Sequence, residues 1–385
     1  MRSFHIEIPQ SQIDDLKRRI AATRWPDEMP DVGWSRGVPL AYLKELAEYW
    51  RTSYDWRAAE ARLNQFPQFV TEIDGARVHF LHIRSPEPTA RPLILTHGWP
   101  STVVEFVDII GPLTDPAAYG DDPADAFHVV VPSIPGYAFS GPTGHAGWDV
   151  VRVGRAWMEL MRSLGYSRYV VQGGDWGSAI SLRLGLADPE HVAGVHLNMC
   201  VTFPPADPAA MADLDDSDRA RLDFAQWFAQ DGTGWAKIQS TRPQTLAYGL
   251  TDSPVGQLAW IVEKFKEWTE AETPEAAVGR DHLLTNVMIY WLTATAGSSA
   301  QLYYETTHLE ADFYNTWCGP WPLAMPVGVA VFPKDAVRPI RRFADKILPT
   351  LTHWTEFERG GHFAALAEPE LLVGDVRKFA RSLQR

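Results

Sequence analysis

Cysteine is nearly absent from this chain: Cys200 and Cys318 are the two among 385 residues. So few exclude a disulfide framework and fit a reducing cytoplasm. Long hydrophobic runs are missing as well. The opening Met1-Arg2-Ser3-Phe4-His5-Ile6-Glu7-Ile8 holds no apolar stretch long enough for a signal peptide or a membrane anchor, so a soluble, cytoplasmic protein is expected. Basic residues are outnumbered, 35 Lys and Arg against 48 Asp and Glu for a net charge of −13, and they form no run. Nucleic acid and anionic membrane surfaces are therefore poor candidates as partners. Internal repeats and low-complexity segments are also lacking. What is plentiful is aromatic: 16 tryptophans, and 12% Phe, Trp and Tyr together. Such residues serve core packing, or the wall of a large apolar cavity.

The apolar fraction of 45% and charged fraction of 22% are those of an ordinary globular protein. The length allows an α/β domain of roughly 250 residues plus a subdomain. Residues 1–65 read as a helical and loop extension, with Ser11 and Asp14 patterned as a helix-start cap ahead of Leu16. A hairpin follows, Phe69–Ile73 and Arg77–Ile83 around an Asp74-Gly75 turn. Short apolar strands then alternate with helices: Pro92–Thr96, His128–Val131, Tyr169–Val171 and Val192–Leu197. Continuous apolar runs predict a sheet buried on both faces and so largely parallel. The pattern stops near Pro204-Pro205 and becomes helical, with Phe224–Phe228 and Leu258–Phe265 as the expected helix cores. Strands return at Val327–Phe332 and Thr355–Phe357, before a last helix through Leu371–Phe379. The reading is one α/β domain, residues 66–204 and 323–385, with a helical cap inserted at 205–322 and the extension at 1–65.

One pentapeptide carries most of the chemistry. Gly173-Gly174-Asp175-Trp176-Gly177 has the frame of a nucleophile elbow, G-x-Nu-x-G, between an apolar strand and a helix. The turn is so sharp that the positions two before and two after the nucleophile must lack bulk. Asp stands where serine is usual. A serine attacking a carbonyl gives a hydrolysable acyl-enzyme, but on an sp³ carbon it would give an inert ether. A carboxylate attacking an sp³ carbon gives an ester that water can cleave, so the substrate class is an epoxide or an alkyl halide. Asp335, on the turn after the next-to-last strand, and His362, on the Gly360-Gly361-His362-Phe363 loop after the last strand, complete the chain order nucleophile, acid, base. Backbone N–H groups of Trp176 and of the His97-Gly98-Trp99-Pro100 loop are the expected oxyanion hole. His97 itself is read as orienting that loop.

These motifs, together with Gly360-Gly361-His362-Phe363-Ala364-Ala365, resemble those of the epoxide hydrolases of the α/β-hydrolase fold. The similarity is greatest to the microsomal-type branch, whose N-terminal extension the Arg24-Trp25-Pro26 stretch resembles, here without a membrane-anchoring helix. The resemblance implies an α/β-hydrolase fold, a mostly parallel sheet with a helical cap, and no cofactor or metal. It also implies a cap tyrosine that protonates the departing oxygen, at Tyr303 within Ser298–Glu305. A second tyrosine of the family falls on Trp235 here. The indole N–H can donate a hydrogen bond but is no practical proton source, and Tyr248 and Tyr304 are the alternative phenols. Trp235, Trp176, Trp99 and Pro100 are the candidate substrate-binding residues.

The expected partners are a small-molecule epoxide, bulky and aromatic given the indoles, and water. The product is a vicinal diol, formed through an Asp175 ester. Family members that act in secondary metabolism, enediyne antibiotics among them, suggest a natural-product substrate. A homodimer through cap or N-terminal surfaces fits this layout. The alternative enzyme is a haloalkane or haloacid dehalogenase with the same Asp-His-Asp triad, which stabilises a halide with N–H donors and needs no acid. A retired scaffold would have lost a member of the triad, and none is lost.

Overall fold

The computed structural model describes residues 1–205, 211, 214–308, 317 and 319–383; Cys318 lies outside them. Nine strands form one sheet among the described residues: β1 (Arg2–Phe4), β2 (Gln68–Ile73), β3 (Ala76–Ile83), β4 (Arg91–Thr96), β5 (Phe127–Pro132), β6 (Tyr169–Gly173), β7 (Val192–Leu197), β8 (Val327–Val331) and β9 (Leu351–Glu356). Their spatial order is β1-β2-β3-β5-β4-β6-β7-β8-β9. The first four in that order pair antiparallel, and every pairing from β5 to β9 is parallel.

The apolar runs explain the parallel part. β6 and β8 are buried at every position, with the helices Val150–Ser163 and Trp176–Ala187 on one face and Val107–Thr114 and Pro369–Ser382 on the other. The hairpin turn takes positive φ at both central residues, 50° at Asp74 and 74° at Gly75, which matches the twist of the strands it joins. From β4 the chain goes to β5 on one side and later to β6 on the other. The carboxyl ends of β4 and β6 therefore flank the point where strand order reverses, and ligands of open α/β sheets bind in that crevice.

Three expectations change. The first helix starts at Gln10 with Pro9 as its N-cap and no side-chain cap bond; Ser11 is already inside the helix, where its hydroxyl cannot cap. β9 begins at Leu351, four residues before the strand read from sequence, because an edge strand carrying Thr352, His353 and Thr355 has no apolar run. β1 went unread for the same reason, being three residues long and mostly exposed.

Between β7 and β8 lie the helices Asp216–Trp227, Gly234–Thr241, Pro243–Asp252, Pro254–Glu267, Arg280–Thr293 and Gln301–Thr307. Leu258, Ile261, Val262 and Phe265 do form a buried face. The Asp216–Trp227 helix buries none of its residues, and Trp227 is 46% exposed, so Phe224–Phe228 is not a helix core. The N-terminal segment is stitched to this region by tyrosine hydroxyls. Tyr42 donates to Glu275 (2.6 Å) and Tyr49 to Asp281 (2.9 Å), while Tyr54 shares a hydrogen bond with Thr285 (2.9 Å). No helix among the described residues is long and apolar enough to cross a membrane.

Candidate active site

Asp175 sits between the end of β6 and the helix Trp176–Ala187, with φ +51° and ψ −130°. Positive φ in a non-glycine residue costs about 1–3 kcal/mol, and the turn places the carboxylate at the mouth of the crevice. Close packing explains the glycines. A Cβ on Gly177 would collide with the Thr96 carbonyl at the end of β4, and one on Gly98 would collide with the Asp175 side chain itself. The Trp99 backbone N–H donates to Asp175 Oδ1 at 2.8 Å, and the Trp176 N–H also bonds this carboxylate. Burial raises the Asp175 pKa; His362 and the two N–H groups pull the other way without cancelling the rise. His97 is fully buried. Its Nδ1 lies 2.9 Å from the Gly98 carbonyl, and its Nε2 accepts the Ile134 N–H at 3.3 Å, so it braces the loop.

His362 faces Asp175 from the loop after β9. Its Nδ1–H donates to Asp335 Oδ1 at 2.7 Å, which fixes the tautomer, and its Nε2 points to Asp175 Oδ2 at 3.6 Å. The second distance is too long for a direct hydrogen bond. Burial disfavours the imidazolium, but the charge and hydrogen bond of Asp335 and the charge of Asp175 outweigh it and lift the pKa to about 9. The backbone N–H of His362 is held by the Trp268 carbonyl at 3.0 Å, and the Trp268 ring lies 4.7 Å from the imidazole.

Above the carboxylate the site is aromatic. Trp235 stacks on Trp99 (4.8 Å, 11°), and Tyr303 meets Trp176, Trp235 and Trp99 edge-on at 4.6, 5.4 and 6.1 Å. Trp317 closes on Trp176 at 5.3 Å. Tyr303 is buried. Burial first, and then the Asp175 charge, push its pKa well above 10, with the adjacent Trp176 indole acting in the opposite direction. The phenol is thus kept protonated. Trp235 presents its ring and not its N–H: Nε1 donates to the Gly232 carbonyl at 3.0 Å. The expectation that this N–H assists the departing oxygen is therefore corrected; the π-turn Phe228–Gly232 leaves that carbonyl free to take it. Tyr248 is 71% exposed, and Tyr304 lies at the surface stacked on His308, so neither stands in for a second phenol. Pro100 is buried, and its carbonyl accepts the Asn286 amide at 2.6 Å, tying the His97–Pro100 loop to the helix Arg280–Thr293.

Comparison with known proteins gives the family. A family model described as "Epoxide hydrolase N terminus" matches residues 1–106, and one described as "alpha/beta hydrolase fold" matches residues 91–272. The chain is 47% identical over 382 residues to a "Putative epoxide hydrolase" of Stigmatella aurantiaca, covering 99% of this chain and 85% of the relative. It is an epoxide hydrolase of the α/β-hydrolase fold. It is also 36% identical over 408 residues to epoxide hydrolase 1 of Sus scrofa, covering 100% of this chain and 89% of that one. Two solved structures are similar throughout. One is the epoxide hydrolase of Aspergillus niger (TM-score 0.88, 33% identity, 100% and 96% of the two chains covered). The other is the juvenile hormone epoxide hydrolase of Bombyx mori (TM-score 0.90, 30% identity, 99% and 94% covered).

Sequence reasoning about this epoxide hydrolase passed over Glu105. It lies buried on the short turn Val103–Phe106 after the His97–Pro100 loop, where burial, only partly offset by a bond to Ser101, pushes its pKa up to about 7. Its signal was an acidic residue among Val103, Val104, Phe106 and Val107, three places after a capping threonine. Trp268 was also missed, since nothing in a helical aromatic says that it will back an imidazole. Among the described residues, His196, His353 and Asp375 bring ligand-type atoms within 4.8 Å of one another. The two imidazoles pack against Phe379 of the helix Pro369–Ser382, and both already bond the carboxylate.

Proposed function

We propose that this epoxide hydrolase opens a bulky, aromatic epoxide, of the kind found in secondary metabolism and antibiotic biosynthesis, to a vicinal diol through an Asp175 ester. The reading is carried by a buried, protonated phenol, Tyr303, beside a buried carboxylate. Asp175 attacks a ring carbon, the C–O bond breaks, and the oxygen takes the Tyr303 proton. Tyr303 is the proton source at hand, held in its protonated form beside the carbon–oxygen bond that breaks. His362, oriented by Asp335, then removes a proton from water, which attacks the Asp175 carbonyl carbon. The resulting oxyanion lies against the Trp99 and Trp176 N–H groups, and its collapse expels the diol. Four indoles at the site, Trp99, Trp176, Trp235 and Trp268, favour a flat and bulky substrate. A dehalogenase would hold its halide with indole donors; the Trp235 N–H is already spent on Gly232, which leaves the buried Trp176 N–H, beside Tyr303, as the single donor of that pair.

The test is a single turnover in ¹⁸O-labelled water with styrene oxide and larger aryl epoxides. The first diol should carry unlabelled oxygen from Asp175, a trapped ester should map to Asp175 by mass, and Asp175→Ala should form no diol. Prompt label in the first diol would sink the covalent route. Halide release from alkyl halides, with no diol from any epoxide, would favour the dehalogenase.

A further inference from the structure

The helix Pro254–Glu267 carries a lysine on its buried side. Lys264 is 3% exposed, and lysine is almost never so buried unless paired. Its Nζ pairs with Glu267 Oε2 at 2.8 Å and Glu263 Oε2 at 3.1 Å. It also lies over two indoles, 5.5 Å from the Trp235 ring centre and 5.7 Å from that of Trp268, and those rings meet edge to face at 5.2 Å. An ammonium is drawn to an indole face most strongly where water is excluded. From these rings the contacts run directly to the reacting groups. Trp268 touches the His362 imidazole and accepts its backbone N–H. Trp235 stacks on Trp99, whose N–H holds Asp175.

We propose that Lys264 is a positioning residue: its ammonium fixes Trp268 and Trp235 together and, through Trp268, holds the His362 imidazole where the water-activating step requires it. The proposal rests on the ester mechanism above. The two half-reactions depend on it unequally. Ester formation uses Asp175 and Tyr303 and asks nothing of His362 as a base. Ester hydrolysis needs Nε2 aligned with a water and the Asp175 carbonyl carbon, and a displacement of 1 Å in such an arrangement costs up to about a hundredfold.

The experiment follows both steps by rapid quench and mass analysis of the Asp175 peptide, with styrene oxide as probe, in the parent, Lys264→Met, Lys264→Arg and the double variant K264M/E267Q. The double variant removes the charge together with its nearer and more buried partner, Glu267; the remaining partner, Glu263, is 35% exposed and stays solvated. With Lys264→Met, ester hydrolysis should slow about tenfold or more while ester formation stays within about threefold, so that ester accumulates. K264M/E267Q should behave alike, and Lys264→Arg, which keeps a cation over the rings, should recover most of the loss. A parent-like ester fraction in both charge-free variants, or ester formation and hydrolysis falling together, would overturn the proposal. So would failure of both charge-free variants to fold while Lys264→Arg folds, since Lys264 would then be a structural residue. A parent that turns over epoxide with no Asp175 ester would remove the mechanism first and this proposal with it.

Discussion

Two buried clusters of imidazole and carboxylate in this enzyme are built as inverses. At the strand ends one imidazole, His362, lies between two carboxylates, Asp335 at 2.7 Å and Asp175 at 3.6 Å. Beneath the helix Pro369–Ser382 one carboxylate, Asp375, lies between two imidazoles, His196 on β7 and His353 on β9, each at 2.9 Å. In the second cluster the carboxylate is closed in: Thr355 also donates to Asp375 at 2.6 Å. Burial alone would raise the Asp375 pKa, but the bonds from His196 and His353 hold it well below the usual carboxylate range. The first cluster is closed on one side and open on the other. A group bonded on every side is a joint. A group bonded on one side and only faced on the other can change its protonation as the charge opposite it changes, which is what the proposed two-step hydrolysis would ask of its base.

The largest effects should come from the open cluster. His362→Gln should lower diol turnover by about a thousandfold or more, yet still form ester, so that after one turnover's worth of epoxide the Asp175 peptide carries the added mass. If ester formation were lost equally, His362 would be needed in the first half-reaction and its assignment as base to the second would be wrong. Asp335→Asn should cost less, about a hundredfold, since the ring keeps its Trp268 backing but loses the partner that fixes its tautomer. The same peptide assay separates the two variants.

The pH dependence follows from the asymmetry. While Asp175 is ionised, His362 keeps its proton up to about pH 9. In the proposed mechanism ester formation erases the Asp175 charge, so one cause of that elevation vanishes and the imidazole pKa falls. Asp335 and Glu105, itself up to about 7, are the acidic groups that still face it. Lowering the pH reprotonates His362 in the ester and slows hydrolysis. Ester formation, by contrast, needs only an ionised Asp175 and holds until the pH falls to that carboxyl's raised pKa. Ester occupancy at steady state should therefore rise as the pH is lowered from about 8, until ester formation itself fails as the pH reaches the raised Asp175 pKa. Occupancy that never rises as the pH is lowered would mean that the base does not become protonated in the intermediate.

The open cluster was legible in the sequence because backbone requirements write it. Gly173 and Gly177 frame Asp175 where the helix must pack against the Thr96 carbonyl, and Asp335 and His362 each follow a run of strand residues. The cap side was legible only in part. Tyr303 could be placed by its segment, but the direction of the Trp235 N–H depends on a π-turn that no periodicity announces. Lys264 reads in sequence as one more polar residue of an amphipathic helix. Glu105, a carboxyl in an apolar turn, can be noticed in the sequence, but only the fold brings it near His362. The closed cluster was not legible at all. His196, His353 and Asp375 come from three distant segments, and only the pairing of β7, β8 and β9 under one helix brings them together.

The smallest catalytic effect, and a purely structural one, should come from breaking that closed cluster. Asp375→Asn replaces a carboxylate that accepts from His196, His353 and Thr355 with an amide that has one acceptor oxygen and two unwanted donors. Loss of one partner in a buried pair costs about 3 kcal/mol, which here should lower Tm by a few degrees at neutral pH. The sign of the pH dependence is set by the depressed pKa. Asp375 contributes its stability above the unfolded value of about 4 and loses it as pH falls through its lower folded value. The gap in Tm between parent and variant should thus be constant above about pH 5 and shrink in more acid solution. Thermal unfolding of both across pH 3 to 8 measures it, while diol turnover below the melting transition should stay within about twofold. A variant that melts like the parent but hydrolyses epoxide poorly would show that the two clusters are coupled, and the division between joint and base would fail.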